Sequence, residues 1–130
     1  MKLTSLRIIT KNIQSLIQFF EHVTGTTAKW YTEDFAEIIT ETATLAIAST
    51  KTMNLFGEAL LSAGSGGIII EFKVDNVDKE FERIKDLLED VIQAPTTMPW
   101  GNRSLLFRDP DGNLINFFTP VSPDAIKKFS

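Results

Sequence analysis

The feature that most constrains this chain is an internal repeat in the order of its secondary-structure signals. The run LTSLRIIT precedes Asn12, and IIIEFKVD precedes Asn76. In both copies a β-branched strand pattern leads to an asparagine at a helix N-cap position, then to apolar residues at helical spacing and to short strand-like runs. The repeat predicts an α+β fold of two βαβββ repeats that form an open, barrel-like mixed sheet with a concave cleft.

The predicted boundaries follow the repeat. We expect one domain over residues 1–130, with repeat one at about 3–50, a connector at about 51–67 and repeat two at about 68–120. The end of the connector, SAGSGG, is flexible by composition. Further strands are predicted at Ala28–Thr32, Phe35–Thr40, Thr44–Ala48 and Val91–Gln93. The apolar helix faces are Ile13, Leu16, Ile17, Phe20 and Val23, ending at Gly25, and Val77, Phe81, Ile84, Leu87 and Leu88.

Composition excludes several classes of partner and site. The chain has no cysteine, which excludes disulfides and thiolate zinc sites. A net charge of −4 argues against nucleic acid, whose binders usually carry a basic face. No apolar run approaches the roughly 20 residues that span a bilayer. We therefore expect a cytoplasmic protein that contacts neither membranes nor nucleic acid.

The stretch PWGNRSLLFRDPDGN predicts the last hairpin. Pro110 fixes φ at the first central turn position, and Gly112 suits the left-handed residue of a three-residue loop. Together with Asn12-Ile13 and Val74-Asp75-Asn76-Val77-Asp78, this wording resembles the vicinal-oxygen-chelate superfamily, which includes glyoxalase I, extradiol dioxygenases and bleomycin-resistance proteins. The resemblance spans nearly the whole chain and implies the fold, although fold alone does not decide function.

The resemblance also implies where a metal would be held. Metal-dependent members place histidine or glutamate ligands on the concave face, and the corresponding positions here are Ser5, Ile47, Ile69 and Asn116. Isoleucine has no lone pair, and neutral hydroxyl and amide oxygens bind transition metals poorly. We therefore expect no metal and no other cofactor. His22, the only histidine, is predicted on the solvent side of the first helix.

Strand alternation sorts the remaining side chains onto the concave face. This predicted face carries Ser5, Arg7, Ile9, Ile69, Glu71, Lys73, Leu114, Asn116 and Phe118. Arg7 and Glu71 hold equivalent places in the two repeats, and they are predicted to form an ion pair. A structural salt bridge is the favoured interpretation, because a carboxylate bonded to a guanidinium is a weak base. Glu71 as a base or ligand anchor is the alternative.

The loop before the last hairpin offers two further candidates. Trp100 lies between Pro99 and Gly101, which suits an aromatic wall over a flat ligand. Arg103 is predicted either to stack on Trp100 or to bind an anion. The alternative is that both close the end of the sheet. The candidate ligand-binding residues are Arg7, Ile69, Glu71, Trp100, Arg103, Asn116 and Phe118.

Three functions remain open at this stage. The favoured one, implied by the resemblance, is a metal-independent small-molecule-binding protein of the bleomycin-resistance type, a homodimer that sequesters its ligand. The second is an enzyme, either a glyoxalase-like lyase or isomerase or a dioxygenase-type member. The third is a structural or regulatory dimer without a ligand.

Overall fold

The computed structural model describes residues 1, 3–55 and 68–130. It divides into two compact units, Met1–Gly64 and Ser65–Ser130. The elements of the first unit are β1 (Ser5–Thr10), α1 (Ile13–Thr24), β2 (Lys29–Thr32), β3 (Phe35–Ile39), β4 (Thr44–Ser49) and a 3-10 turn at Thr50–Leu55. Those of the second are β5 (Ile69–Lys73), α2 (Val77–Ile84), a 3-10 turn at Lys85–Leu87, β6 (Val91–Thr97), β7 (Asn102–Arg108), β8 (Leu114–Pro120) and α3 (Pro123–Lys128). The SAGSGG segment of the predicted connector lies outside the described residues.

Each unit contains one four-stranded mixed sheet, and the two sheets have the same topology. The strand orders are β1-β4-β3-β2 and β5-β8-β7-β6. In each sheet the first strand pairs in parallel with the last one, and the other pairs are antiparallel. The predicted α+β class and βαβββ order are therefore confirmed.

The predicted helix caps are present in both units. The side chain of Asn12 accepts a hydrogen bond from the Ser15 amide, and that of Asn76 accepts one from the Lys79 amide, each at 3.1 Å. Gly25 ends α1 in the left-handed conformation, with φ 69°. These local signals set where each helix begins and where α1 ends.

The helix-facing sides of the sheets form the cores. In the first unit, Ile38 and Ile47 are fully buried together with the apolar face of α1. In the second, Phe117 packs edge-on against Phe72 and Phe107, with ring centroids 5.5 and 5.2 Å apart. Burial of these large side chains supplies most of the driving force for folding.

The DPDGN hairpin is held by one buried side chain. The carboxylate of Asp109 accepts hydrogen bonds from the backbone amides of Asp111 and Asn113 at 3.0 and 2.8 Å, and from Asn113 Nδ2 at 2.8 Å. Gly112 has φ 85°, as predicted for a three-residue loop. Burial raises the pKa of Asp109, although the hydrogen bonds from Asn113 and Asp111 act in the opposite direction.

Several predicted element boundaries were wrong. The second helix tightens into a 3-10 turn after Ile84, and this turns Leu87 away from the core, leaving it 46% exposed. Strand β6 continues to Thr97 because register shifts accommodate Pro95 on this edge strand. No helix in the described part of the chain is long and apolar enough to cross a membrane.

Candidate functional site on the open sheet faces

We use "open face" for the side of each sheet opposite its helix. On the open face of the first sheet, Arg7 lies diagonally across from Phe35, with its guanidinium carbon 5.1 Å from the ring centroid. Between them on β4 are two buried small residues, Ala46 and Ala48. This face therefore presents a cation–π pair over small side chains.

On the open face of the second sheet, the position equivalent to Arg7 is Glu71. Glu71 lies directly opposite Asn116, and Asn116 Nδ2 donates to Glu71 Oε2 at 2.8 Å. Because a carboxylate only accepts hydrogen bonds, this contact fixes the orientation of the amide and turns Asn116 Oδ1 away from Glu71. That oxygen is buried and has no hydrogen-bond partner in the described structure.

Strand β7 adds two polar groups to the same face. Ser104 lies opposite Phe118, and Leu106 lies opposite Asn116, so Ser104 and Asn116 are diagonal neighbours. Ser104 Oγ and Asn102 Oδ1 are also buried without hydrogen-bond partners among the described residues. Neither residue was among the predicted site residues, although their even spacing with Leu106 on a strand indicates that all three share a face.

Helix α3 covers one end of this face, and it too was missed. Ser122 caps the helix by accepting a hydrogen bond from the Ala125 amide at 3.1 Å, and Pro123 occupies a first-turn position. The motif SPDAIKK therefore contains the residues that are typical of a helix N-terminus. Phe129, at the end of α3, packs on Phe118 with centroids 4.9 Å apart, and Lys73 Nζ donates to the Phe129 carbonyl at 3.1 Å. Phe118 is consequently only 6% exposed.

Gly101 contacts the start of α3 closely. Its carbonyl accepts from the amides of Val121 and Ser122 at 2.9 and 3.0 Å. A Cβ at this position would lie 2.0 Å from Ser122 Oγ, and Gly101 has φ 93°. Only glycine allows both this approach and this conformation.

The structure separates Trp100 and Arg103 from Glu71 and Asn116. Trp100 is 64% exposed in the turn between β6 and β7. The neighbouring Asn102 pairs with Pro120, four positions along β8 from Asn116, or about 13 Å at the usual rise of a strand.

Arg103 lies on the helix-facing side of β7. Its Nε and Nη2 donate to the carboxylate of Asp78 at 2.9 and 3.0 Å, and its Nη1 donates to Thr97 at 3.3 Å. Hydrogen bonding from Arg103 lowers the pKa of Asp78, and the same contact raises the pKa of Arg103. This ion pair ties β7 to the first turn of α2. The predicted alternatives, stacking on Trp100 or binding an anion, compete with these contacts.

Two further predicted features concern single side chains. His22 is exposed, as expected. Ile69 is 48% exposed at the start of β5. The predicted ion pair between Arg7 and Glu71 would join the two units and stays a prediction; within its own unit each side chain has the contact described above.

Comparison with known proteins places the fold in a family. A family model described as the glyoxalase/bleomycin resistance protein/dioxygenase superfamily matches residues 2–117. The chain belongs to this superfamily. It is 25% identical over 128 residues to the uncharacterized protein YraH of Bacillus subtilis (strain 168), a match that covers 91% of this chain and 98% of YraH.

Solved structures of similar proteins share the same architecture. One described as a conserved domain protein is 28% identical, with a TM-score of 0.77, and the match covers 92% of this chain and 99% of that one. A glyoxalase/bleomycin resistance protein/dioxygenase family enzyme from Burkholderia phytofirmans PsJN has a TM-score of 0.81 at 20% identity, covering 91% of this chain and 98% of that one. The second likeness supports the fold alone.

The strand register corrects one of the four positions at which this chain was predicted to match the metal ligands of the superfamily. Ile47 lies on the helix-facing side and is fully buried. Arg7 pairs with Ala46 just as Glu71 pairs with Asn116, so the residue equivalent to Asn116 is Ala46. A slip of one residue moves a strand side chain to the other face, and this is why the hairpin count failed.

The corrected positions do not fit a metal of the kind that the superfamily implies. Ser5, Ala46, Ile69 and Asn116 offer one hydroxyl and one amide, without imidazole or carboxylate. In the described part of the chain, no group of three or more histidine, cysteine, aspartate and glutamate side chains is placed to hold a metal ion. By register, a carboxylate lies directly opposite two of these positions: Glu37 opposite Ala46, and Glu71 opposite Asn116, to which it is hydrogen-bonded.

Proposed function

We propose that this protein is a metal-independent small-molecule-binding member of the superfamily, and that its ligand contacts the open face around Glu71 and Asn116. The observation that carries the proposal is the buried Oδ1 of Asn116, which lacks a hydrogen-bond partner within the described residues. Buried polar groups are nearly always satisfied, so an unpartnered one on an open sheet face is a candidate for a ligand contact.

The side chains around this oxygen support binding rather than metal-assisted chemistry. On the same face the Glu71–Asn116 pair has apolar neighbours and one lysine, whose ammonium donates to the Phe129 carbonyl: Ile69, Leu106, Leu114, Phe118 and Lys73. A few placed polar groups among apolar ones are typical of small-molecule sites. The donor set at the corrected positions gives a transition metal no anionic or imidazole ligand.

The proposal extends to biological role and assembly. We propose sequestration of the ligand by binding without turnover, as the resemblance to bleomycin-resistance proteins implies, by a homodimer in the cytoplasm. In this role Trp100, exposed at the β6–β7 turn, stacks on the part of the ligand that projects beyond the sheet.

Metal analysis combined with a ligand screen tests the proposal. We expect substoichiometric metal after dialysis, and we expect thermal-shift hits in a small-molecule panel that persist in a chelator. Stoichiometric Ni, Zn, Fe or Mn that resists dialysis, with hits lost on its removal, would overturn metal independence.

A matched pair of tryptophan variants tests the aromatic wall. Trp100→Ala should weaken the binding of panel hits, whereas Trp30→Ala, a change to the 38% exposed tryptophan of the first unit, should not. Unchanged binding in Trp100→Ala would show that this residue does not stack on the ligand.

A further inference from the structure

Three buried side-chain oxygens in the described structure have no hydrogen-bond partner, and all three lie on one face of one sheet. They are Asn102 Oδ1, Ser104 Oγ and Asn116 Oδ1, on the adjacent strands β7 and β8. Asn102 and Ser104 are 9% and 6% exposed. We call these three residues the acceptor row. Few buried polar groups in native structures lack a hydrogen-bond partner. Three of them on one sheet face therefore suggest that a ligand binds there.

The geometry of the sheet sets the spacing of the row. Asn102 and Ser104 are two residues apart on β7, or about 7 Å along the strand. Ser104 and Asn116 are diagonal neighbours across the β7–β8 pair, with Cα atoms about 7–8 Å apart. A ligand of one or two rings spans such distances.

Two of the three oxygens in the row select hydrogen-bond donors, and the third, the Ser104 hydroxyl, can donate as well as accept. The two amide oxygens only accept, and the orientation of Asn116 is fixed by its bond to Glu71. Glu71 forms no salt bridge within the described residues, so its carboxylate adds a negative charge beside the row. Lys73 lies two residues further along β5 on the same face, where its ammonium donates to the Phe129 carbonyl. A complementary ligand therefore brings N–H donors and a positive charge.

In this structure Phe129 covers the aromatic residue at one end of the site. Its ring packs on Phe118, the residue opposite Ser104, at the covered end of the row. A planar ligand reaching Ser104 would take the place of the Phe129 ring on Phe118. The contact that Phe129 makes then competes with the ligand.

We propose that Ser104 and Asn116 of the acceptor row, together with Glu71, bind a planar cationic ligand of the amidinium or guanidinium class, whose ring replaces Phe129 on Phe118. This inference rests on the proposed binding function and names the class of its ligand. The ligand donates its N–H groups to the oxygens of Asn116 and Ser104 and places its charge beside Glu71.

An isosteric series of small probes tests the inference. Benzamidine, benzamide and benzoate share a planar ring, but their polar groups change from a cationic donor, through a neutral amide, to an anionic acceptor. In amide-resolved NMR titrations of the full chain, benzamidine should shift the signals of β7 and β8 and should bind more tightly than benzamide. Benzoate should leave those signals unchanged.

Variants separate a ligand site from a structural role. Glu71→Gln should weaken benzamidine binding about tenfold or more, because it removes the charge-assisted contact. Ser104→Ala should weaken binding without lowering the unfolding midpoint, because an unpaired hydroxyl contributes nothing to the free protein. A lower midpoint would show that the hydroxyl already has a partner, such as a structural water, and would overturn its role.

Phe129→Ala tests the competition at the aromatic end. Removal of the competing ring should tighten benzamidine binding, since less of the binding energy is spent on displacing it. Weaker binding by this variant would overturn the replacement of Phe129.

The result of the probe series also separates this inference from the proposed function. Equal binding of benzoate and benzamidine at β7 and β8 would overturn the donor selectivity while leaving a small-molecule site in place. Absence of benzamidine binding at these strands would overturn the inference. The metal analysis and the ligand panel test the proposed binding function independently of this result.

Discussion

The two units share their topology and their helix caps, but their open faces carry different side chains at equivalent positions. At equivalent positions of the parallel strand pairs, the first sheet has Arg7 opposite Ala46, and the second has Glu71 opposite Asn116. The first face has a cation–π pair over alanines, with Glu37 opposite Ala46. The second has the hydrogen-bonded Glu71–Asn116 pair with Lys73 two residues along, and it is partly covered by α3. The helix-facing sides, by contrast, are apolar in both units. Core packing constrains one side of each repeat, and the other side is free to acquire specificity.

The largest expected effect tests the shared side of this comparison. Ile47→Ala and Phe117→Ala change equivalent helix-facing positions, and they should lower the free energy of unfolding by about 2–5 and 3–5 kcal/mol, respectively. Ile69→Ala, at a 48% exposed open-face position, is the control and should cost less than about 1 kcal/mol. Urea unfolding measures all three. A small effect of Ile47→Ala would mean that this side chain does not face the core.

A second substitution tests the α3 cover, which is part of the second unit. Gly101→Ala combines a positive φ with a clash against Ser122, whereas Gly112→Ala has a similar φ and no atom within 4 Å of the added Cβ. The second change should cost about 1–2 kcal/mol, and the first about 1–3 kcal/mol more. Equal losses in denaturant unfolding would indicate that α3 shifts freely and is not seated on Gly101.

The two helix caps provide an internal control. Asn12→Ala and Asn76→Ala each remove one hydrogen bond, 3.1 Å long, in which the asparagine side chain accepts from a helix backbone amide. Each should destabilise the protein by about 1 kcal/mol. Thermal unfolding of both variants would sharpen the comparison, since a large difference between them would show that the repeats differ in more than their open faces.

The smallest effect is a difference in acid titration between two aspartates of the second unit. Asp78, bonded to Arg103, should titrate below the ordinary aspartate pKa, and buried Asp109 above it. The stabilisation from Asp78 is therefore present above its unfolded-state pKa and is lost as pH falls through its lowered pKa. The pH dependence of Asp109 is reversed. Its protonated form contributes stability below the unfolded-state pKa, and this stability is lost as pH rises through the raised pKa. Carbon-detected NMR of the side-chain carboxyls measures both, and the reverse order would contradict this assignment.

Local rules in the sequence were enough for much of the fold. Asn12 and Asn76 marked both helix starts, and the Pro110 and Gly112 pattern gave the hairpin loop, because caps and turns depend on residues a few positions apart. Alternation also placed Glu71 and Asn116 on one face correctly.

What failed depended on long-range contacts or on exact register. The face of Ile47 follows from its pairing with Ile8 of β1, which no local pattern determines. Arg103 meets Asp78, which is distant in sequence, so the ion pair could not be inferred from the WGNR stretch. The acceptor row required both the β7–β8 register and the position of α3.

The parallel pairing of first and last strands has a consequence for how the chain folds. Ser5 pairs with Thr44 and Ile69 with Leu114, so each sheet is completed only after a long loop closes, while the β3–β4 and β7–β8 hairpins form from neighbouring segments. We expect β1 and β5 to join their sheets late in refolding. Pulse-labelling hydrogen exchange should therefore protect the hairpin amides before those of β1 and β5, and earlier protection of β1 would place the loop closure first.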